Sequence, residues 1–337
     1  KVILLDTGSS IFKKNLFGLE KLISLVLLKR KVEKLISHEK MDKMCVFTVG
    51  DQVANFFAAS KKLSNKYLCE DGTFPYYAGI EMYDESGLVS KGLAGVGVKK
   101  SSRLKKLLRF LLDKYLVSGL IIRAGSWYKQ ILLLKGDLYN KSYDKRLHVI
   151  ETVKVDDHSV ESNFTALSKV FGYKATGLYD GVDVVFIDSG MVSEDYLSMQ
   201  HQVNFTFDAL NRFKSKNIVI KLGPYSQQDK IDYVLSLCAQ TKNIKLDLVN
   251  IRVPWEIVFF NNKRYLSRAI ICTYMSTAAF SPFLFFGIQT NITVFSKLVT
   301  GRFKMSDQYT IMHNQYCDLL NAIRPLYKNN LIEIPSS

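Results

Sequence analysis

The stretch VDVVFIDSG, residues 182–190, is the clearest structural signal in the sequence. Its first six residues form an almost continuous apolar run, which is typical of a strand buried on both faces of a parallel sheet. A helix is expected over 194–214, followed by a strand at 217–221, a turn at Gly223-Pro224 and a helix at 228–240. Buried strands that alternate with helices in this way build a parallel sheet with helices on both faces.

The same alternation continues toward both ends of the chain. The pattern predicts a strand at 246–250, a helix at 253–261 that has Pro254 in its first turn, a strand at 269–273 and a further element from 276. In the N-terminal half, apolar residues at helical spacing predict a helix over 17–35. Short β-type runs predict strands at 2–5, 45–49, 67–69, 120–123, 131–135 and 148–153. The fold class is therefore α/β, with two Rossmann-like domains.

Length and composition fit two domains. The chain has 337 residues, of which 47% are hydrophobic, and such a length exceeds one usual domain. The stretch 171–181 holds three glycines and little periodicity, so it marks the expected boundary. We therefore predict a first domain at 1–175, a second at 176–310, and a segment 311–337 whose helix packs back toward the first domain.

The charge of the chain favours an anionic partner. Lys and Arg number 46 against 31 Asp and Glu, which gives a formal net charge of +15. Nucleic acid, an anionic membrane or an acidic polymer would suit this excess, and a generally basic surface is the alternative. The sequence has no recognised motif of basic residues interleaved with aromatic ones, so we expect no nucleic-acid partner.

The cysteines and the apolar runs bear on the compartment. Five scattered cysteines without CxxC spacing signal neither a zinc site nor a disulfide framework. We expect free, mostly buried thiols in a reducing compartment. The most apolar stretch, 278–288, is too short to span a bilayer. The expected location is therefore cytoplasmic.

Two acidic triplets could suggest an aspartic protease. Asp-Thr-Gly at 6–8 and Asp-Ser-Gly at 188–190 each follow an apolar strand, one in each half of the chain. Aspartic proteases pair two such carboxylates, but they are nearly all-β, whereas this chain is basic and strongly helical between its strands. Asp-x-Gly after a strand is also a common tight turn, so the protease is kept only as a distant alternative.

Four short motifs lie at predicted strand ends or helix starts, and each has an ordinary structural alternative. Glu70-Asp71-Gly72 follows the strand at 67–69, where a carboxylate could act as a general base toward a hydroxyl group; a solvated turn is the alternative. Lys221-Leu222-Gly223-Pro224 ends the strand at 217–221. A basic residue there could meet a phosphate, assisted by backbone N–H groups at the next helix start, or the segment is an ordinary turn.

The other two motifs lie further along the second half. Pro254-Trp255-Glu256 opens a predicted helix, where the carboxylate could accept both ribose hydroxyls or merely favour the helix dipole. Ser276-Thr277 follows the strand at 269–273. Its hydroxyls and the adjacent N–H groups could hold a phosphate, or the serine is a plain helix cap.

Taken together, the four motifs resemble those of the bacterial sialyltransferases and capsule polysialyltransferases of the GT-B fold. That family has an acidic-acidic-Gly motif, then Lys-x-His-Pro, Pro-x-Glu and a Ser-Ser or Ser-Thr pair. Glu70-Asp71-Gly72 matches the first motif, and Lys221 and Pro224 match the second. Glu256 matches the third and Ser276-Thr277 the fourth. The chain departs from the family at Gly223, which stands where the family has its His.

The resemblance implies a fold, a donor and a set of roles. The fold would be GT-B, with two Rossmann-like domains that face each other across a cleft. The donor would be CMP-sialic acid, the acceptor a hydroxyl group of polysialic acid or another glycan, and the purpose capsule synthesis. Neither a cofactor nor a metal would be required. Glu70 or Asp71 would be the base, a choice that stays open, and the nucleotide would be bound by Lys221, Pro224, Glu256, Ser276 and Thr277.

The missing His has a consequence for the rate. In the family this His stabilises the departing phosphate, and losing one such contact costs about 100- to 1000-fold in rate. Gly223 can offer only its N–H group. Either this position has been inactivated, or another group has taken over the role.

A run of basic residues suggests where an acceptor could lie. Leucines recur at helical spacing over 104–112, so the segment is predicted to be an amphipathic helix. It could hold an anionic polysaccharide, or contact the inner face of the cytoplasmic membrane or the capsule export machinery; a solvated charged face is the alternative. The basic residues are Lys99, Lys100, Arg103, Lys105, Lys106 and Arg109.

Two further functions stay open at this point. A different GT-B enzyme, such as a lipooligosaccharide or Kdo transferase, would keep the fold and change the donor or the acceptor. A nucleic-acid-binding protein would explain the charge alone.

Overall fold

The structure is a computed structural model, and its described residues form two compact units. Described residues up to 152 belong to the first unit, and those from 156 onward belong to the second. Each unit is built on a parallel sheet, which confirms the predicted α/β class and agrees with a GT-B-like two-domain chain. The cleft expected between the domains stays a prediction. The described residues are 19–46, 52–69, 111, 113–115, 118, 127–128, 130–138, 149–152, 156–188, 198–224, 226–303 and 307–335.

The first unit has a four-stranded sheet whose strands lie in chain order. Its longest described helix forms because Leu28, Val32 and Ile36 recur every fourth residue, and this apolar stripe packs against Phe56 and Leu63. The elements are α1 (Leu19–His38), β1 (Lys43–Val46), α2 (Gln52–Ala58), β2 (Asn65–Cys69), β3 (Gln130–Leu133), the 3-10 turn Gly136–Leu138 and β4 (Val149–Thr152).

The second unit is larger and alternates strands with helices. Its elements are α3 (Asp157–Val170), β5 (Val184–Ile187), α4 (Met199–Leu210), β6 (Ile218–Lys221), α5 (Gln228–Ala239), β7 (Ile244–Leu246), α6 (Trp255–Asn261), α7 (Lys263–Leu266), β8 (Ile270–Thr273), α8 (Ser281–Phe286), β9 (Asn291–Val294), α9 (Ser296–Arg302), α10 (Asp307–Tyr327) and β10 (Leu331–Glu333). Three 3-10 turns lie between them, at Asn211–Phe213, Thr277–Phe280 and Lys328–Asn330.

The strand order of the second sheet defines its fold. The order is β10-β9-β8-β5-β6-β7, and every pair is parallel. The chain runs outward from β5 through β6 to β7, then returns to the other side of β5 and continues through β8, β9 and β10. This order is that of a Rossmann-type sheet, and its direction reverses between β5 and β8. All residues of β5 and β6 are buried, as their apolar runs predicted.

The predicted domain boundary near residue 175 is wrong. Helix α3 belongs to the second unit, because Phe164 packs its ring against Phe260 at 5.3 Å and Phe286 at 4.9 Å. Helix α3 was not predicted from the sequence, because most of its residues are exposed or half-buried. Asp156, which reads as part of a solvated turn, caps α3 by accepting a hydrogen bond from the Ser159 N–H at 2.8 Å.

The separate C-terminal segment at 311–337 is also a wrong prediction. Strand β10 pairs in parallel with β9 and completes the second sheet, and the ring of Tyr327 at the end of α10 packs against Phe280 at 5.9 Å. A three-residue strand such as β10 leaves too short a pattern to be recognised from sequence. Both elements therefore belong to the second unit.

Smaller differences appear along the chain. The strand predicted at 246–250 ends at Leu246, because the side chain of Asp247 accepts a hydrogen bond from the Asn250 N–H at 3.1 Å and holds a turn. Cys45, Cys238, Cys272 and Cys317 are free, but only Cys272 of these four is buried, so the expectation of mostly buried thiols is wrong. Within the described residues, no helix is both long and apolar enough to cross a membrane. The strands predicted at 2–5 and 120–123 lie outside the described residues.

The aspartic protease does not fit this fold. The sheets of both units are parallel and alternate with helices, whereas those proteases are nearly all-β. Asp188, from the second acidic triplet, is ion-paired with Lys230 at 2.7 Å.

Candidate functional site

The register of three central strands sets the geometry of the candidate site. Ile187 in β5 lies beside Lys221 in β6 on one side and Thr273 in β8 on the other. Adjacent strands lie about 4.8 Å apart, so the chain leaves β6 and β8 at the same level, roughly 10 Å apart. Because the sheet reverses direction between β5 and β8, this carboxyl edge is where open α/β sheets bind ligands.

The motif residues of the second unit meet at this edge. Lys221 is the last residue of β6, and Gly223 and Pro224 follow in the next turn. Glu256 lies in the first turn of α6, which follows β7. Ser276 and Thr277 begin the 3-10 turn that follows β8. The structure thus places these residues on the elements that the sequence predicted, while their contacts with a nucleotide stay predictions.

Lys221 points into the protein. Its side chain is only 2% exposed, and its Nζ donates hydrogen bonds to the carbonyl oxygens of Leu222 at 3.0 Å and Ile251 at 3.1 Å. Burial lowers the pKa of Lys221 to about 8, although three nearby carboxylates oppose the change. The ammonium therefore has a structural role, in which it ties the β6–α5 loop to the β7–α6 loop. Two of the three N–H donors of the ammonium are engaged in this way, which leaves one for a phosphate.

A buried ionic cluster that the motifs did not include lies beneath the same edge. The Nζ of Lys230 in α5 lies 2.7 Å from the Asp188 carboxylate at the end of β5. Gln202 in α4 donates from Nε2 to the same carboxylate at 3.4 Å. Burial raises the pKa of Asp188, and Lys230 opposes that rise. The backbone N–H of Gly223 lies near this carboxylate and also opposes the rise of its pKa.

Arg252 holds the β6–α5 loop, which contains Gly223 and Pro224. Its guanidinium donates from Nη1 to the carbonyl oxygens of Pro224 at 2.7 Å and Ser226 at 2.9 Å. Arg252 therefore ties this loop to the β7–α6 loop. Arg252 is exposed and adds positive charge beside the site. In the sequence, Arg252 is marked only by its position two residues before Pro254, which begins the motif Pro254-Trp255-Glu256.

A second buried carboxylate fixes the β7–α6 loop itself. Asp247 is fully buried, and its side chain accepts hydrogen bonds from the Tyr179 hydroxyl at 2.8 Å and the Asn250 N–H at 3.1 Å. Asn250 in turn donates from Nδ2 to the Lys174 carbonyl at 3.0 Å. Burial and the neighbouring Asp247 charge raise the pKa of Tyr179, so its hydroxyl stays a donor. This network positions the loop that carries Arg252 and leads into Glu256.

The Ser276-Thr277 pair does not act as an ordinary helix cap. The Ser276 side chain makes no capping hydrogen bond, and its backbone N–H donates to Thr273 Oγ1 at 2.9 Å. Both residues are half-buried. The interpretation of Ser276 as a plain cap is therefore wrong, and its hydroxyl is not committed to the turn that it begins.

The backbone at Gly223 does not require glycine. The positive-φ glycines of the described residues are Gly172, Gly177, Gly181 and Gly287. A Cβ atom built on Gly223 would have the Ser226 Oγ as its nearest neighbour, at 3.9 Å, which is an ordinary contact. A side chain can therefore leave the backbone at this position without a clash at its Cβ atom.

The remaining predicted residues lie outside the described part of the chain. These are the two candidate bases, Glu70 and Asp71, and the basic run Lys99, Lys100, Arg103, Lys105, Lys106 and Arg109. Their roles stay predictions.

The buried ion pair gives a pH-dependent test. Replacing Lys230 by Met removes the ammonium and leaves Asp188 buried without its partner, so we expect the unfolding free energy to fall by about 3–5 kcal/mol at pH 7.5. The loss should be smaller at pH 5. A buried carboxyl whose folded pKa lies above its unfolded value binds more protons when folded, so stability rises as the pH falls. Urea denaturation at both pH values measures this.

Two matched variants complete the test. Lys245→Met, at an exposed position of β7, should change stability little at either pH, and Asp188→Asn combined with Lys230→Met should recover part of the loss. An equal, pH-independent loss in Lys230→Met and Lys245→Met would contradict this account of the ion pair.

Comparisons with known proteins give distant structural similarities. No family model matches the chain, and no curated protein matches it. Among solved structures, S. aureus MnaA in complex with UDP is 12% identical, with a TM-score of 0.47, over 97% of this chain and 81% of that one. A Listeria monocytogenes structure assigned to UDP-N-acetylglucosamine 2-epimerase is 14% identical, with a TM-score of 0.43, over 95% and 76%. Neither similarity assigns an activity to this chain.

Proposed function

We propose that the chain is a nucleotide-sugar-dependent glycosyltransferase whose donor nucleotide binds at the carboxyl edge of the second sheet. The observation that carries this proposal is the reversal of strand order between β5 and β8. Three motif segments, which follow β6, β7 and β8, all leave the sheet at that edge. Open α/β sheets bind nucleotides at this kind of position.

The chemistry at the edge suits a ribose and a phosphate. Glu256 would accept hydrogen bonds from the ribose hydroxyls, and the hydroxyl groups of Ser276 and Thr277 would donate to the phosphate. Arg252 is an exposed positive charge beside these groups and would attract an anionic ligand. The Lys221 and Arg252 contacts hold the β6–α5 loop in place before the ligand arrives, which lowers the ordering cost of binding.

The proposed donor is CMP-sialic acid, because the order of the four motifs resembles that of the sialyltransferases. A hydroxyl of the acceptor would attack the anomeric carbon while the bond from that carbon to the phosphate oxygen breaks. The bond's electron pair leaves with CMP, and the hydroxyl proton goes to Glu70 or Asp71. The acceptor would be an anionic glycan, which the basic residues of segment 99–109 would hold. No cofactor or metal takes part in this scheme.

Gly223 makes slow turnover the expected behaviour. The family's His would face the departing phosphate, whereas Gly223 has no side chain that could do so. The charge that develops on CMP is therefore stabilised by fewer groups. Donor binding is less affected, because Glu256, Ser276 and Thr277 are present.

Nucleotide binding to the full chain tests the site. We expect CMP to bind more tightly than UDP or GDP in calorimetric titrations. Glu256→Gln should weaken CMP binding by about 10- to 100-fold, because hydrogen bonds to a charged group contribute about 1.5–3 kcal/mol.

The matched control is Glu161→Gln, which makes the same change on the exposed surface of α3 and should leave the affinity unchanged. Tight binding of UDP alone would favour another GT-B transferase, such as a lipooligosaccharide or Kdo transferase. Failure to bind any of the three nucleotides would refute the proposed site.

Restoring the family residue tests the reaction. We expect Gly223→His to increase CMP release from CMP-sialic acid in the presence of an oligosialic primer by about 100- to 1000-fold. Gly223→Phe fills similar space without a proton donor and should not increase it. Equal rates in all three proteins, despite normal CMP binding, would contradict the sialyltransferase assignment and leave the nucleotide site intact.

A further inference from the structure

Helix α1 of the first unit carries two opposite faces, and only one of them is packed within the unit. Leu28, Val32 and Ile36 are buried against the core. The opposite face is exposed and begins with two large aliphatic side chains, Ile23 and Leu27, whose exposed fractions are 50% and 52%. The two side chains lie one helical turn apart, and basic residues continue the same face.

The exposed residues form one continuous stripe. At 100° per residue, they fall within an arc of roughly 120°, centred opposite Val32. From Ile23 to His38 the stripe is about 22 Å long. We call this set the α1 outer stripe, and it consists of Ile23, Leu27, Arg30, Lys31, Lys34, Ser37 and His38.

The charge of this surface is strongly positive. Arg30, Lys31 and Lys34 lie one to two turns after Leu27. Beside the stripe, Glu33 is flanked by Lys29 at 2.9 Å and Lys62 at 3.8 Å, so its negative charge is balanced locally. Lys62 also donates to Ser37 Oγ at 2.6 Å, which brings a further positive charge to the edge of the stripe. Several of these side chains line an open concavity on the helix surface.

We propose that the α1 outer stripe binds the surface of an anionic phospholipid bilayer. Ile23 and Leu27 enter the boundary between headgroups and acyl chains, while Arg30, Lys31 and Lys34 contact lipid phosphates. Long basic side chains can bury their stems and keep their charges at phosphate level. A dissolved polyanion would use the charges but would gain nothing from the aliphatic pair, so a bilayer matches both halves of the surface.

The expected magnitude follows from the charges. Each Lys or Arg close to an anionic membrane surface contributes about 1 kcal/mol, which is roughly fivefold in binding. Neutralising two of them should therefore weaken vesicle binding about 25-fold. Replacing both aliphatic side chains by Ser should weaken it about 10-fold at unchanged charge.

The experiment measures co-flotation of the full chain with vesicles at 150 mM NaCl. One set of vesicles contains phosphatidylcholine with a quarter phosphatidylglycerol, and the other contains phosphatidylcholine alone. The α1 variants are Arg30→Gln with Lys34→Gln, and Ile23→Ser with Leu27→Ser. Matched controls in the second unit are Lys242→Gln with Lys245→Gln, and Val170→Ser with Leu248→Ser, at positions that are also exposed.

We expect binding to the anionic vesicles only, a loss of about 25-fold and 10-fold in the two α1 variants, and no loss in the controls. Unchanged circular dichroism would show that the α1 variants are folded. No vesicle binding, equal binding to both vesicle types, or equal losses in the control variants would overturn the proposal. Binding of soluble oligosialic acid or RNA by the stripe without any vesicle binding would also overturn it. CMP affinity, measured on the same variants, should not change, so this proposal and the nucleotide site can fail separately.

Discussion

The parallel alignment of β8, β5 and β6 is the constraint on which the account of the second unit depends. Thr273, Ile187 and Lys221 lie side by side, so the segments that follow β6 and β8 begin at the same level. In a parallel sheet all carboxyl ends share one edge, and the reversal of strand order spreads the two following segments apart. Residues more than fifty positions apart in sequence, such as Gly223 and Ser276, therefore lie at the same carboxyl edge of the sheet.

The interior beneath that edge is unusually polar. Asp188, Lys230, Lys221 and Asp247 are all buried, and burying charges costs free energy unless they are paired and hydrogen-bonded. Each has such partners: Asp188 with Lys230, Lys221 with two carbonyl oxygens, and Asp247 with Tyr179 and Asn250. These contacts tie the residue after β5 to helix α5, and the end of β6 to the loop after β7. Their joint effect is to fix the loops that carry the candidate nucleotide-binding groups.

The parts of the fold that follow from local pattern were predictable. Strands β5 and β6 are buried on both faces, and such strands are mostly apolar, with Lys221 at the end of β6 as the exception. Helix α3 was missed because its exposed face makes the segment look like a solvated stretch, although Phe164 anchors it. Strand β10 was missed because three residues are too few for a pattern, and it depends on pairing with β9.

In the candidate site, too, residues with a local sequence signature were predicted and residues that depend on distant partners were not. Glu256 and Ser276 were placed on the correct elements because their motifs coincide with helix starts, which have a local signature. Lys230 and Arg252 were not found, because their roles come from partners 42 and 28 residues away in sequence. The direction of the Lys221 side chain could not be predicted either. It depends on the Ile251 carbonyl, which only the folded loop brings within reach.

Backbone hydrogen exchange of the full chain, with and without whichever of CMP and UDP binds more tightly, tests the central claim most directly. The account predicts slower exchange on nucleotide binding in the segments 222–227, 252–258 and 274–280, with exchange in α1 unchanged. Binding accompanied by protection in other segments, with these three unaffected, would contradict a nucleotide site at the carboxyl edge of the second sheet.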